Sequence, residues 1–267
     1  MSILNGNERL GRTVGDVAEV AGYLWQRGWA ERNGGNISVN ITDLLGERDL
    51  TRPALAGQVA LGRPVPALGG QVFLVTGTNR RMRYVSSDPM EHMAVIRVMP
   101  DGGAYEIIAD RIVKPTSELA SHLLMHDHLR RQGKHNTVVL HTHPTDLIAM
   151  THNPKFLGRD VMGTLLWSMI PETRIVVPRG IGIVPYALTG TVRLADETIK
   201  LLDDYDVIMW EKHGCLAVGE DVIETFDMID TLSKSAQIYI QARMMGFEPS
   251  GLTDAQLDEI RVAFQLP

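Results

Sequence analysis

The chain has 267 residues, of which 44% are apolar and 22% charged, with a formal net charge of -6. That is enough apolar material for one large core, and no run of Lys or Arg is long enough to follow a nucleic-acid backbone. Cys215 is the only cysteine, which excludes a disulfide framework within the chain and fits a reducing compartment. Met1 to Leu10 carries no leader-like apolar segment, and no apolar run approaches the roughly 20 residues that cross a bilayer. The expectation is a soluble, cytoplasmic protein with neither membrane nor nucleic acid as partner.

Val14, Val17, Ala18, Ala21, Leu24 and Trp25 recur at helical spacing and predict a first helix ending near Gly28. The turn sequence Glu31 to Asn36 leads into a β-prone stretch, Ile37 to Ile41. Residues 43–70 are rich in Pro, Gly and Ala without a clean period, and are read as an irregular excursion. Val72 to Val75 reads as a strand running into Thr76-Gly77-Thr78-Asn79; Met93 to Val98 and Ala104 to Ile108 read as a strand pair around Asp101-Gly102-Gly103. Pro115-Thr116-Ser117 is expected to open a helix through Arg131, since Pro suits a first helical position and Thr or Ser can cap. Then follow a strand over Thr137 to His141, a short helix over Pro144 to Thr151, and a strand over Arg174 to Val177. A helix over Thr191 to Leu202 precedes strands over Asp206 to Glu211 and Cys215 to Val218. Val222, Phe226, Ile229, Ala236 and Ile240 line one face of a long helix, and a last helix covers about Asp254 to Phe264. The mixture of helices with short β pairs predicts a single α/β domain over 1–267, a sandwich.

The sharpest chemical signal is His141-Thr142-His143 after the apolar run Val138-Val139-Leu140. On a strand, residues i and i+2 face the same way, so two imidazoles can converge on one ion. His213 ends a second apolar strand in Glu211-Lys212-His213-Gly214, where Gly214 would permit a sharp turn. Three neutral imidazoles with one open position is the donor set of a catalytic zinc site, although His-x-His is also an ordinary polar strand end. His122 and His126 are four apart on a helix without the Glu of the zincin pattern, and read as surface or packing residues. Cys215 reads as a buried, inert thiol. Glu118 near a helix start is ordinary dipole stabilisation on its own, and a candidate general base beside a metal. Asn33-Gly34-Gly35-Asn36 and Thr76-Gly77-Thr78-Asn79 are turns able to cradle a phosphate, a composition that plain turns share.

Gly28-Trp29-Ala30-Glu31-Arg32-Asn33-Gly34-Gly35-Asn36, Phe73 to Gly77, Pro115 to Leu119, His141-Thr142-His143, Gly180 to Ile183, His213-Gly214, and Glu224-Thr225-Phe226 with Asp230-Thr231 and Lys234 to Gln237 come in order over about 14–245. As an ordered set they resemble the class II aldolase/adducin family, most closely its members acting on L-rhamnulose 1-phosphate. The resemblance implies a class II aldolase-like fold, a central mostly antiparallel sheet flanked by helices. It implies retro-aldol cleavage of L-rhamnulose 1-phosphate to dihydroxyacetone phosphate and L-lactaldehyde, as in rhamnose catabolism. It implies one Zn2+ per subunit on His141, His143 and His213, with Glu118 as catalytic acid/base. Phosphate binding falls to Asn33, Gly35, Asn36, Thr76, Gly77, Thr78 and Ser117. A homotetramer with active sites at subunit interfaces is implied, Glu172 reaching a neighbour's site. Asn79 stands where such members tend to carry Gly, and residues 43–70 and the last twenty do not match. Cleavage of L-fuculose 1-phosphate, epimerisation of L-ribulose 5-phosphate, dehydration of a methylthioribulose phosphate and a non-catalytic adducin-type module are the alternatives.

Overall fold

The computed structural model describes residues 3–4 and 6–267. The chain forms two compact units, Met1–Leu140 with Val218–Ile223, and His141–Ala217 with Glu224–Pro267. The class is mixed α/β, with mostly antiparallel strands and flanking helices.

In the first unit, strands β1 (Asn36–Asn40), β2 (Val59–Ala60), β3 (Val72–Thr76), β4 (Met93–Val98), β5 (Ala104–Ile107) and the start of β6 (Val138–Thr142) lie in the order β2-β5-β4-β3-β1-β6. β3 is central. It pairs antiparallel with β1 (Val39 opposite Leu74) and with β4 (Leu74 opposite Val95). Every residue of β3 is buried, as expected of a strand covered on both faces. Helix α1 (Glu8–Gln26) starts where the Asn7 side chain accepts from the Leu10 N–H, and it buries Leu10, Val14, Val17, Val20, Ala21 and Leu24. Three short helices follow, α2 (Glu47–Leu50), α3 (Met82–Ser87) and α4 (Pro89–His92). α5 (Leu119–Arg131) buries Leu119, His122, Leu123, Met125, His126 and Leu129.

The excursion over 43–70 is irregular but tethered. The Leu61 N–H donates to the Gly103 carbonyl at 2.9 Å and the Val65 N–H to the Gly102 carbonyl at 3.0 Å. The Arg97 guanidinium, paired with Glu106, donates to the carbonyls of Leu50 and Arg52.

The second unit holds α6 (Thr145–Thr151), α7 (Val161–Met169), α8 (Pro171–Val176), β7 (Ile181–Val184), α9 (Val192–Leu201), β8 (Val207–Trp210), most of β9 (Gly214–Gly219), most of α10 (Val222–Met244) and α11 (Asp254–Ala263). β7 and β8 are parallel (Ile183 opposite Met209), joined through α9 as a parallel pair requires. β8 and β9 are antiparallel (Met209 opposite Cys215). Thr191 caps α9, and Thr253 with Gln256 forms a capping box on α11.

Two expectations need correction. Arg174 to Val177 is not a strand: α8 runs to Val176, started by Pro171 at its first turn, and the strand comes later, at β7. The helix expected from Pro115 begins at Leu119, because Pro115 pairs with Gly77 in a β-bridge and the Thr116 N–H donates to the Thr76 carbonyl at 2.8 Å. Glu118 is therefore the residue before that helix, with φ -92° and ψ 8°. Of the two readings of His122 and His126, surface or packing, the second holds: they are 1% and 3% exposed.

Ile96 in β4 is fully buried. Ile96→Ala should lower the unfolding free energy by about 2–5 kcal/mol, the usual cost of a buried aliphatic truncation, read from urea unfolding.

Candidate active site

His141, His143 and His213 form a group able to hold a metal ion among the described residues, with one ring nitrogen from each lying within 4.8 Å of the others. β6 carries His141 on its fourth residue and leads straight to His143, so the period of two directs both rings to one side. The turn between β8 and β9 brings His213 in: its N–H donates to the Trp210 carbonyl at 3.0 Å, and Lys212 takes the left-handed conformation at φ 59°. The Lys212 N–H is anchored by the Thr151 hydroxyl at 2.9 Å.

Gly214 acts otherwise than the sequence suggests. It is absent from the positive-φ glycines, and the strained position is Lys212. What position 214 requires is space. A Cβ there would lie 2.7 Å from the Thr142 carbonyl oxygen and 2.8 Å from ring atoms of both His141 and His143.

The chemistry of the donor set fits a metal. His141 Nδ1 lies 2.9 Å from the Cys215 carbonyl oxygen, which can only accept, so Nδ1 carries the proton and Nε2 holds the lone pair. That Nε2 faces His143 Nε2 at 3.2 Å. Nitrogens bound tetrahedrally at about 2.0–2.1 Å to one zinc ion would stand ~3.3 Å apart, so this spacing suits a shared cation.

Trp210, which the sequence did not single out, supports the rings. Its ring centroid is 4.4 Å from that of His141 and 5.1 Å from that of His213, stacked on the latter. The Trp210 indole N–H donates to the buried Thr198 hydroxyl at 2.9 Å, which in turn donates to the Leu194 carbonyl at 2.7 Å. Cys215 is fully buried, and burial pushes its thiol pKa well up, in keeping with an inert thiol.

In the first unit, three loops gather at one end of the β1–β3 pair. The Thr76 hydroxyl accepts from the Ile37 N–H at 3.0 Å, and the Thr78 N–H donates to the Lys114 carbonyl at 2.9 Å. The Gly77 N–H donates to the His92 carbonyl at 2.8 Å. The backbone donors of Gly77 and Thr78 are thus engaged within the protein and do not form the bare N–H cradle that the turn composition suggested. Gly77 has no room for a side chain, with Arg80, His92 and Val113 atoms each 2.8 Å from a Cβ placed there. Asn79 is left-handed at φ 56°, which Asn tolerates, so the loop survives without the expected Gly. Asn33 and Ser117 are exposed, Gly35 is half-buried at φ 77°, and Asn36 is buried. The Asn36 side-chain N–H donates to Glu118 Oε2 at 2.8 Å. Glu172 stands exposed in the first turn of α8, outside the histidine group.

The family profile described as Class II Aldolase and Adducin N-terminal domain matches residues 15–240. A rhamnulose-1-phosphate aldolase of Bacteroides thetaiotaomicron is 53% identical over 266 residues, covering 100% of this chain and 99% of that one. A rhamnulose-1-phosphate aldolase of Listeria welshimeri is 33% identical over 252 residues, covering 93% and 88%. The crystal structure of a sugar-phosphate aldolase from Thermotoga maritima superposes with a TM-score of 0.78 at 30% identity, covering 91% of this chain and 100% of that one.

Gly214→Ala should displace the imidazoles and lower the bound metal per chain well below that of the wild type, measured by elemental analysis of the purified proteins. Equal metal content would show that the strands can shift to accept the methyl group.

Proposed function

The chain belongs to the class II aldolase and adducin family, and from that premise we propose that it cleaves L-rhamnulose 1-phosphate into dihydroxyacetone phosphate and L-lactaldehyde. The observation that carries this reading is the full-length 53% identity to a protein of that name, in a chain whose three histidines cluster as a metal site. The whole of 1–267 is read as one domain of the family, working in the cytoplasm; no helix of the described residues is long and apolar enough to cross a membrane.

His141, His143 and His213 hold one zinc ion per subunit, the metal that three neutral imidazoles and an open position favour. When bound, zinc supplies Lewis-acid stabilisation for the negative charge that develops on the dihydroxyacetone phosphate half. Cleavage breaks the C3–C4 bond as the C4 hydroxyl gives its proton to solvent and becomes the aldehyde carbonyl; the bonding pair stays with the C3 fragment, and C3 then takes up one proton. Glu118 handles the proton at C3, and the Asn36 N–H orients its carboxylate. Asn33, Gly35, Asn36, Thr76, Gly77, Thr78 and Ser117 hold the phosphate, the side chains of Asn33, Asn36, Thr78 and Ser117 as donors and the others shaping the loops. The active assembly is a homotetramer in which Glu172 serves the aldehyde end of a neighbour's site.

The purified protein should release dihydroxyacetone phosphate from L-rhamnulose 1-phosphate, and from L-fuculose 1-phosphate more slowly, with activity lost on chelation and restored by zinc. A higher kcat/KM on L-fuculose 1-phosphate would overturn the substrate assignment, and full activity of metal-free protein the zinc assignment. Glu118→Gln should lower kcat by about 10²–10⁴-fold with metal content unchanged, the range for loss of a positioned proton-transfer group. Retention of more than about a tenth of the rate would place that role elsewhere.

A further inference from the structure

Behind Glu118 the first unit buries a continuous chain of polar groups. Asn36 Nδ2 donates to Glu118 Oε2 at 2.8 Å, and Asn36 Oδ1 is bonded to His122 Nε2. His122 Nδ1 lies 2.8 Å from Ser38 Oγ, and the same hydroxyl lies 2.9 Å from His126 Nε2. Ser38, His122 and His126 are 0%, 1% and 3% exposed. β1 supplies Asn36 and Ser38, two residues apart on one face, while α5 supplies His122 and His126, one turn apart on the facing side. The His126 ring is braced by Phe73 of β3, centroids 4.9 Å apart.

The order of donors follows from valence. An ionised carboxylate only accepts, so the Asn36 carboxamide must turn its N–H toward Glu118 and its oxygen toward His122. His122 Nε2 must then carry the proton. Burial holds both imidazoles neutral, with pKa values lowered to about 3. A neutral ring has one donor and one acceptor, so His122 Nδ1 accepts from the Ser38 hydroxyl, and Ser38 Oγ accepts from His126 Nε2–H. Every donor points toward Glu118, and the bonds polarise one another in the same sense. Running the chain the other way would need a proton on Glu118.

We propose that Ser38, His122 and His126 are positioning residues for Glu118, a one-way hydrogen-bond chain that locks the Asn36 carboxamide with its N–H aimed at that carboxylate. The proposal rests on the catalytic reading of Glu118 given above. Packing alone has no use for this chain: apolar residues at the same three positions would fill the space without burying polar groups. The second hydrogen on Asn36 Nδ2 stays available, so orienting Glu118 is compatible with the phosphate role assigned to Asn36.

The test combines kinetics with a spectroscopic readout. In ¹⁵N-histidine spectra of the wild-type protein, His122 and His126 should both be neutral with the proton on Nε2. His122→Phe and Ser38→Ala should each lower kcat on L-rhamnulose 1-phosphate about tenfold, the factor matching ~1.4 kcal/mol for a hydrogen-bond link, while KM moves less than about twofold. His122→Gln, which keeps an N–H for Asn36, should recover most of the lost kcat. A proton on His122 Nδ1, a kcat within about twofold of wild type in Ser38→Ala, or a raised KM at unchanged kcat would overturn the proposal. If His122→Phe does not fold, Ser38→Ala and the tautomer measurement decide. A wild type inactive on the sugar phosphate would defeat the functional reading alone, and the tautomers would still decide the chain.

Discussion

The histidine cluster depends on one close approach: the backbone of β9 passes the end of β6 at a distance that only a residue without a side chain permits. There the Cys215 carbonyl meets His141 Nδ1 at 2.9 Å, and that single acceptor determines which nitrogen of the ring is left for coordination. The ring orientation of His143 follows from the strand period, and that of His213 from the left-handed Lys212 and the flat face of Trp210. The site is thus set by backbone geometry and neighbouring groups before any cation arrives, which is the arrangement that costs least to reorganise on binding.

The first unit shows a different balance. A sheet whose central strand is wholly buried would be more simply covered by an apolar helix, yet α5 presents two imidazoles to Ser38. Polar groups in such a place are tolerated when they find partners, and here Ser38, both nitrogens of His122 and Nε2 of His126 do. The specificity of the arrangement lies in the matching of donors to acceptors, so the face of α5 is constrained more tightly than size and hydrophobicity would require.

Much of this was legible in the sequence where a short-range rule applies. His-x-His on a strand, the apolar stripe of α1, and the β8–β9 pair around His213 each follow from a period of two or of 3.6. What failed did so for identifiable reasons. Arg174 to Val177 is a four-residue apolar-rich window, too short to separate strand from helix, and Pro171 upstream was the better guide. Pro115 looked like a helix opener because its bridge to Gly77 is a contact between distant segments. The burial of His122 and His126, the support from Trp210 and Thr198, and the tethering of 43–70 through Arg97, Gly102 and Gly103 are likewise long-range. Gly214 was singled out for its flexibility, whereas its role is the absence of a Cβ.

The lone cysteine has a practical consequence. Cys215 sits sealed in β9 with its thiol held protonated, so an alkylating reagent reaches it only when that strand leaves its neighbours. The same opening removes the carbonyl that orients His141. The rate at which an alkylating reagent consumes the thiol is therefore a clock for transient opening of the histidine cluster, read on unmodified protein without a label.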